Sequence, residues 1–204
     1  MRFTIPNQLT ILRIGLTPIF VIFFFKETPV DQFIASIIYI IASITDSYDG
    51  WYARRFGVVT RWGQFMDPLA DKILVSSALI IFACLDYVKW WMVCVIVIRD
   101  FLVTIVRIFA IYKGTPIVTS TFAKWKTFTQ MSVIFIILIF INWLNYYGIG
   151  SHSYHAEYLD FIGLSMIVVT MLTIISATLY FYENRRLIWR MVKEIFAFTS
   201  KFFQ

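Results

Sequence analysis

Charged residues are scarce in this sequence, and their scarcity limits the class of protein. Charged side chains make up 15% of the 204 residues, hydrophobic side chains make up 60%, and the mean hydropathy is +0.77. Soluble globular domains carry about 25% charged residues, so the main body of the chain is not a soluble domain. For the same reason the net charge of +6 does not indicate nucleic-acid binding, because no soluble basic domain is present to carry it.

Cysteine and histidine are scarce too. Cys84 and Cys94 have no histidine or cysteine at ligand spacing, which excludes a disulfide framework, a zinc site and a redox motif. We expect both cysteines to be packing residues in apolar helices. His152 and His155 lie in a predicted external loop without a third ligand, so a metal site is not expected there.

Long apolar segments take up most of the chain. A hydrocarbon core of ~30 Å needs about 20 apolar residues for each helical span. The sequence therefore predicts an all-α integral membrane protein, a single transmembrane domain over 1–204. Its six candidate spans are 9–25, 32–55, 64–86, 89–112, 126–146 and 158–182.

Amphipathic segments flank these spans. In residues 1–13 apolar side chains alternate with polar and basic ones, which predicts an N-terminal interfacial helix that leads into the first span. Residues 183–204 are basic and rich in aromatic side chains. They are predicted to form a cytoplasmic amphipathic tail that lies on the anionic lipids of the inner leaflet.

The lysines and arginines are distributed unevenly between the two sides of the predicted bundle. Thirteen of the eighteen lie near the N-terminus, in the second-to-third and fourth-to-fifth connections, or in the tail, whereas the opposite connections hold only Lys26 and Lys89. Cytoplasmic segments of membrane proteins carry the excess of positive charge. Both termini are therefore predicted to be cytoplasmic, and so is the connection between the second and third spans.

Four of the twelve carboxylates lie in one short stretch around that connection. Asp46 and Asp49 are three residues apart and share one helix face. Asp67 and Asp71 are four residues apart and share another. Carboxylates beside apolar runs in a membrane are costly, and clustered oxygen ligands suit divalent cations. The pattern predicts a metal-filled site at the cytoplasmic face.

Small residues accompany both acidic pairs. Gly50 and Ala53 extend the face of the first pair, and Gly63 precedes the second, so another helix or a flat ligand can approach the backbone closely. Two other interpretations of the carboxylates stay open: ion pairs that stabilise packing, and a cation transporter. Few cations share these faces, which argues against ion pairs. The position of the acids at one face, without an inverted repeat of discontinuous helices, argues against a transporter.

The same stretch resembles the signature of the CDP-alcohol phosphotransferase family. The family spacing is D-x2-D-G-x2-A-R-x8-G-x3-D-x3-D, and the eight matching positions here are Asp46, Asp49, Gly50, Ala53, Arg54, Gly63, Asp67 and Asp71. The opening I-P-N-Q-L-T-I-L-R-I and the run M-D-P-L-A-D-K-I-L are also similar to the bacterial branch that makes phosphatidylglycerophosphate. Further matches to this branch are Arg99, Arg107 and the run K-W-K-T-F-T-Q from Lys124, while Asp100 and Ser47-Tyr48 depart from it.

The resemblance implies a fold, a reaction and roles for individual residues. It implies six transmembrane helices that usually dimerise, here in a bacterial cytoplasmic (inner) membrane with the active site facing the cytoplasm. The implied substrate is CDP-diacylglycerol, whose phosphatidyl group is transferred to an alcohol with release of CMP. By the same resemblance, two Mg²⁺ ions (with Mn²⁺ as an alternative) are held by Asp46, Asp49, Asp67 and Asp71, Asp71 is the general base, and the CDP-lipid is bound by Gly50, Ala53, Arg54 and Gly63.

Cations in the fourth and fifth spans are predicted to recognise the acceptor. Arg99 and Arg107 are eight residues apart, which puts them within about 80° of each other around one helix, and Lys124 and Lys126 follow. A lone arginine could instead pair with an acid such as Asp100. Several cations against few acids favour a phosphate pocket, and hence glycerol 3-phosphate over a neutral acceptor. Phosphatidylglycerol, as in cardiolipin synthesis, and inositol phosphate remain alternative acceptors.

Overall fold

The computed structural model describes residues 5–56, 61–114, 121–148, 154–155 and 157–202, with the backbone alone described at 5–7, 46–56, 61–65, 67–68, 121 and 195–202. These residues form seven α-helices and no strand, which confirms the all-α prediction. The helices are α1 (Ile5–Phe25), α2 (Pro29–Phe56), α3 (Arg61–Cys84), α4 (Trp90–Tyr112), α5 (Thr121–Tyr146), α6 (Phe161–Glu183) and α7 (Arg185–Phe202).

The first six helices lie where the sequence predicts spans, and they are 21 to 28 residues long. Within the described residues, three helices are long and apolar enough to cross a membrane: Gln8–Phe25, Phe122–Tyr146 and Phe161–Glu183. The chain is a membrane protein on this evidence. The six-span count stays a prediction, because α2, α3 and α4 carry charged residues that lower their hydropathy.

The N-terminal helix differs from the predicted arrangement. A separate interfacial helix over 1–13 is not confirmed, since Ile5–Phe25 form one continuous helix. Thr10, Arg13 and Thr17 recur at helical spacing and are buried. This face of α1 therefore packs against protein rather than against the membrane surface.

Aromatic rings pack where α1, α2 and α3 meet. The ring of Phe20 lies 5.4 Å from that of Tyr39, and the ring of Phe24 lies 5.5 Å from that of Phe82. All four side chains are fully buried. The bundle is completed by α4, which packs on α3 and α6, and by α5, which packs on α6 and α2.

Amide side chains join α2 and α5 at the end of the bundle that contains the α1–α2 turn. Asn145 Nδ2 donates to Gln32 Oε1 at 2.6 Å, and Asn142 Nδ2 donates to Ser36 Oγ at 2.7 Å. Gln32 also reaches the hydroxyl of Tyr87, which follows α3, at 3.5 Å. The start of α2 and the end of α3 therefore lie together, so these two helices run antiparallel.

Helix α7 follows α6 after a single residue and is docked on the bundle. Leu187, Ile188 and Met191 pack against a small buried cluster of α4 and α6. Glu194 lies 2.8 Å from Lys113 at the end of α4. Most of the tail predicted over 183–204 is thus the helix Arg185–Phe202, which contacts the bundle, and the contact of the tail with lipid stays a prediction.

The substitution Gly163→Ala is expected to destabilise the protein. Asp160 caps α6 by accepting from the Gly163 backbone N–H at 2.6 Å, and the preceding loop crosses the helix at this glycine. A Cβ atom added at Gly163 lies well inside contact distance of the Glu157 carbonyl oxygen, which is backbone and cannot rotate away. We expect a loss of about 1–3 kcal/mol, measured as a lower melting temperature in detergent.

A matched control for this substitution is Gly15→Ala in α1. A Cβ atom at Gly15 meets nothing within 4 Å, and alanine is favoured over glycine inside a helix by roughly 0.5–1 kcal/mol. The control is therefore expected to keep or raise the melting temperature. Equal effects of the two substitutions would contradict the close approach at Gly163.

Candidate active site

The helix register brings polar positions of several helices to one level of the bundle. Helix α1 is joined to α2 by a turn of three residues and packs on it through Phe20 and Tyr39, so the two helices are antiparallel. Helices α1 and α3 therefore run parallel to each other, and Phe24 of α1 contacts Phe82 of α3. Arg13 and Asp71 each lie eleven residues before those rings, about 16 Å along the helix. Arg13, which is fully buried, and Asp71 therefore lie at the same level.

Counting residues in the same way from a contact between α1 and α2 gives the level of the acidic end of α2. Tyr39 of α2 contacts Phe20 of α1, and Asp46 lies seven residues after Tyr39 while Arg13 lies seven residues before Phe20. Since α1 and α2 are antiparallel, the backbone of Asp46 is at the level of Arg13. The end of α2 and the start of α3, which carry the acidic signature, thus lie at one end of the bundle.

Asp100 in α4 is a carboxylate shared by cations of three helices. Its Oδ1 accepts from Lys126 Nζ of α5 at 2.5 Å and from Arg99 Nη1 at 2.9 Å. Lys72 Nζ of α3 lies 3.8 Å from its Oδ2. Asp100 is only 1% exposed, and a carboxylate buried at this depth is costly unless opposite charges surround it.

The uncharged side chains of Gln130 and Ser176 are hydrogen-bonded to this group of charges. Lys126, which is fully buried, also donates to Gln130 Oε1 at 2.5 Å. Arg99 Nη2 donates to Ser176 Oγ of α6 at 2.7 Å. We call these six residues the Asp100 cluster: Lys72, Arg99, Asp100, Lys126, Gln130 and Ser176.

The Asp100 cluster has unused capacity for hydrogen bonds. Asp100 Oδ2, Arg99 Nε and Gln130 Nε2 are buried and make no hydrogen bond to any described residue. Buried polar atoms are ordinarily paired with protein or water. The two donors can therefore bind a polar ligand or ordered water from within the bundle.

Asp71 connects this cluster to the predicted metal site. Its Oδ2 lies 3.3 Å from Lys72 Nζ, and its side chain is 24% exposed. Lys72 is thus shared between the carboxylates of Asp71 and Asp100. Asp71 therefore lies between the buried Asp100 cluster and the accessible surface of the protein.

The side chains of all seven other predicted metal and CDP-lipid residues are outside the part of the chain that the structure describes. They are Asp46, Asp49, Gly50, Ala53, Arg54, Gly63 and Asp67, which belong to the helical backbone of α2 and α3. Among the side chains that are described, no three acidic, histidine or cysteine residues form a group that could hold a metal ion. The metal-binding and CDP-lipid-binding roles of those seven residues therefore stay predictions.

The four predicted acceptor residues are divided between two settings. Arg99 and Lys126 are brought together on Asp100, which is the acid that the sequence offered as an alternative partner for an isolated arginine. Arg107 is partly exposed about two turns further along α4, and Lys124 is exposed at the start of α5. Lys126, the first residue of the predicted fifth span, lies inside α5, which begins earlier, at Thr121.

Sequence reasoning missed the roles of Ser176 and Gln130 in this region. Ser176 falls on a face of α6 with Thr170 and Thr173, and this run of small buried polar residues was a usable signal. Gln130 lies one helical turn after Lys126, a spacing that permits their hydrogen bond. Arg13 lies between Thr10 and Thr17 at helical spacing, which marks a polar, protein-facing stripe on α1.

The amino-acid sequence also matches known proteins. Residues 3–175, which include α1 to α5 and most of α6, match the family described as CDP-alcohol phosphatidyltransferase. The chain belongs to this family. The resemblance carried by the stretch from Asp46 to Asp71 is thereby confirmed.

Several relatives of this CDP-alcohol phosphatidyltransferase cover most of its length. A Bacillus subtilis (strain 168) protein is 35% identical over 205 residues, 94% of this chain and 98% of its own. A Rickettsia bellii (strain RML369-C) protein is 34% identical over 87% of this chain and 93% of its own. A Shigella flexneri serotype 5b (strain 8401) protein is 34% identical over 74% of this chain and 85% of its own. All three are named CDP-diacylglycerol–glycerol-3-phosphate 3-phosphatidyltransferase.

Proposed function

We propose that this chain transfers the phosphatidyl group of CDP-diacylglycerol to glycerol 3-phosphate, giving phosphatidylglycerophosphate and CMP. The main support is the shared name of the relatives, two of which match at least 87% of the chain. The chemistry of the chain adds to this support, since Lys72 links Asp71, whose side chain is described, to the buried carboxylate of Asp100 and its cations.

Divalent metal ions fit the donor set of the acidic signature. Carboxylate oxygens are the ligands that Mg²⁺ and Mn²⁺ prefer, and the exposed part of Asp71 leaves that side chain open to a ligand. We propose Asp46, Asp49 and Asp67 as metal ligands, with Asp71 shared. When bound, two such ions supply the positive charge that a pyrophosphate needs.

The CDP-lipid is proposed to bind along the same helix faces. Gly50, Ala53 and Gly63 carry little or no side chain, so a nucleotide can approach the backbone there. Arg54 supplies a guanidinium for the pyrophosphate, whose oxygens accept charge-assisted hydrogen bonds. These residues bind and orient the donor substrate.

Asp71 is proposed as the general base. It accepts the proton of the acceptor hydroxyl while that oxygen attacks the phosphorus that carries the diacylglycerol. The bond from this phosphorus to the CMP oxygen breaks, and CMP leaves with the electron pair. Lys72, 3.3 Å from Asp71, orients the carboxylate. The protein otherwise contributes by positioning the two substrates and by stabilising the charge that develops during the transfer.

The charge of the Asp100 cluster favours a phosphorylated acceptor. Lys72, Arg99 and Lys126 supply three positive charges, and Asp100 is the single carboxylate among the six members of the cluster. The surplus suits the dianion of a phosphate monoester better than the monoanion of a diester such as phosphatidylglycerol. Arg107 and Lys124, which are less enclosed, are proposed as direct ligands of this phosphate together with Arg99, and the fully buried Lys126 is proposed to support them through Asp100.

We further propose a topology and an assembly. The six helices α1 to α6 span a bacterial inner membrane, both termini are cytoplasmic, and the acidic signature faces the cytoplasm. The support is the concentration of lysine and arginine on that side. A homodimer is proposed from the family resemblance.

The function is tested by offering the purified protein a panel of acceptors. With labelled CDP-diacylglycerol and Mg²⁺, we expect CMP release with glycerol 3-phosphate and little or none with phosphatidylglycerol, inositol phosphate or serine. The labelled lipid product is identified by mass spectrometry, and a reaction without acceptor measures background hydrolysis. Preferred use of another acceptor would contradict the proposed substrate, and metal flux into liposomes without CMP release would indicate a transporter.

A further inference from the structure

We propose that Asp100 is a positioning residue for acceptor recognition, which holds Lys72 and Arg99 in place for the acceptor phosphate. Lys126 supports this arrangement from within the bundle. The inference rests on the proposed function, because it concerns how that reaction selects its acceptor.

Asp100 itself is not a ligand of the phosphate. It is negatively charged and 1% exposed, so it repels a phosphate and has little surface to offer one. Its influence must pass through the cations that contact it. These are Arg99 at 2.9 Å, Lys126 at 2.5 Å and Lys72 at 3.8 Å.

The three cations differ in how far they are enclosed. The Lys126 side chain is fully buried, and its ammonium donates to Asp100 and Gln130. The side chains of Lys72 and Arg99 are 16% and 9% exposed, and Arg99 keeps a donor, Nε, without a partner among the described residues. Lys72 and Arg99 are therefore the members that can face a substrate, and Lys126 fixes Asp100 beneath them.

A neutral side chain cannot replace Asp100 in this role. The cations come from α3, α4 and α5 and repel one another at these distances, and Asp100 is the carboxylate that they share. An asparagine accepts one hydrogen bond at this oxygen but leaves Arg99 and Lys126 without a carboxylate and Lys72 with Asp71 alone. The cations then separate, and the spacing that suits a phosphate is lost.

The competing explanation is that the Asp100–Lys126 pair only holds α4 against α5. Removing both members of a buried ion pair is often tolerated, whereas removing one leaves an uncompensated charge. A purely structural pair therefore predicts that the double variant regains all that a single variant loses. A positioning role predicts that stability returns while acceptor recognition does not.

The experiment compares Asp100→Asn, Lys126→Met and the double variant with the wild type. Melting temperature and the KM values for both substrates are measured on each. We expect Asp100→Asn to lower the melting temperature, and the double variant to recover it. In both, the KM for glycerol 3-phosphate is expected to rise about 10-fold to 100-fold, by analogy with outer-shell partners that orient metal ligands, while the KM for CDP-diacylglycerol stays within about twofold of wild type.

Two further variants complete the design. Asp100→Glu keeps the charge and is expected to raise the KM for glycerol 3-phosphate less than the double variant does, a comparison that provides an answer even if the asparagine variant does not fold. Asn142→Leu removes a partly buried polar contact to Ser36 at the other end of the bundle. It is expected to lower the melting temperature without changing the KM for glycerol 3-phosphate.

The outcomes separate the inference from the proposed function. Recovery of both stability and acceptor KM in the double variant, or an equal rise of KM for both substrates, overturns the positioning role alone. Failure of the wild type to use glycerol 3-phosphate overturns the proposed function and this inference with it. A lasting rise in acceptor KM with recovered stability supports both.

Discussion

Asp71→Asn is expected to lower kcat by a factor on the order of 10²–10⁴, the contribution that a general base makes. The variant keeps the size of the side chain and a carbonyl oxygen, but it cannot take the proton of the acceptor hydroxyl. Binding of the CDP-lipid is expected to be largely retained. The measurements are the rate of CMP release and the Kd for CDP-diacylglycerol.

Asp86→Asn is the matched control for that variant. Asp86 follows α3 at its other end and is paired with Lys89 at 3.9 Å and with His155 at 3.4 Å. Because it lies at the exposed end away from the signature, its loss is expected to leave CMP release near the wild-type rate. If Asp71→Asn loses CDP-lipid binding and turnover to the same extent, Asp71 acts first as a metal ligand and the base is another group.

Removal of divalent metal is expected to reduce CMP release to background. The pyrophosphate of the CDP-lipid brings negative charge to a site whose signature residues are themselves carboxylates, so the two repel unless cations are bound. Treatment with excess EDTA tests this expectation. Activity should return on addition of Mg²⁺ or Mn²⁺ in excess over the chelator.

The control for chelation is the addition of K⁺ at matched ionic strength, which should not restore activity. A monovalent ion supplies screening but not the coordination that clustered carboxylates provide. Full activity after exhaustive chelation would exclude the proposed metal roles of Asp46, Asp49 and Asp67.

Much of the fold could be predicted from the sequence because apolar segments of about 20 residues have few alternatives in a membrane. The span predicted at 89–112 corresponds to α4 at Trp90–Tyr112. The span predicted from 126 begins earlier, at Thr121. The predicted span begins at a lysine, whereas α5 continues before it. The charge of Lys126 inside the helix bundle is compensated by Asp100 and by a hydrogen bond to Gln130. That compensation depends on contacts between helices, which a local pattern cannot show.

The candidate site was only partly predictable for the same reason. The spacing of Asp46, Asp49, Asp67 and Asp71 is local and pointed to a metal site with a family signature. The Asp100 cluster is not local, since it joins residues of four helices. Asp100 could be named as a possible partner of an arginine, but the convergence of three cations on it required the structure.

The two ends of the bundle are held together by different forces, and this affects how the enzyme can be made more robust. At the level of Asp100, the charged groups that are proposed to recognise the acceptor also join the helices, so changes there are expected to alter catalysis along with stability. Around Phe20, Phe24, Tyr39 and Phe82 the helices meet through aromatic packing with no part in the chemistry. Substitutions intended to raise heat tolerance therefore belong in that aromatic half.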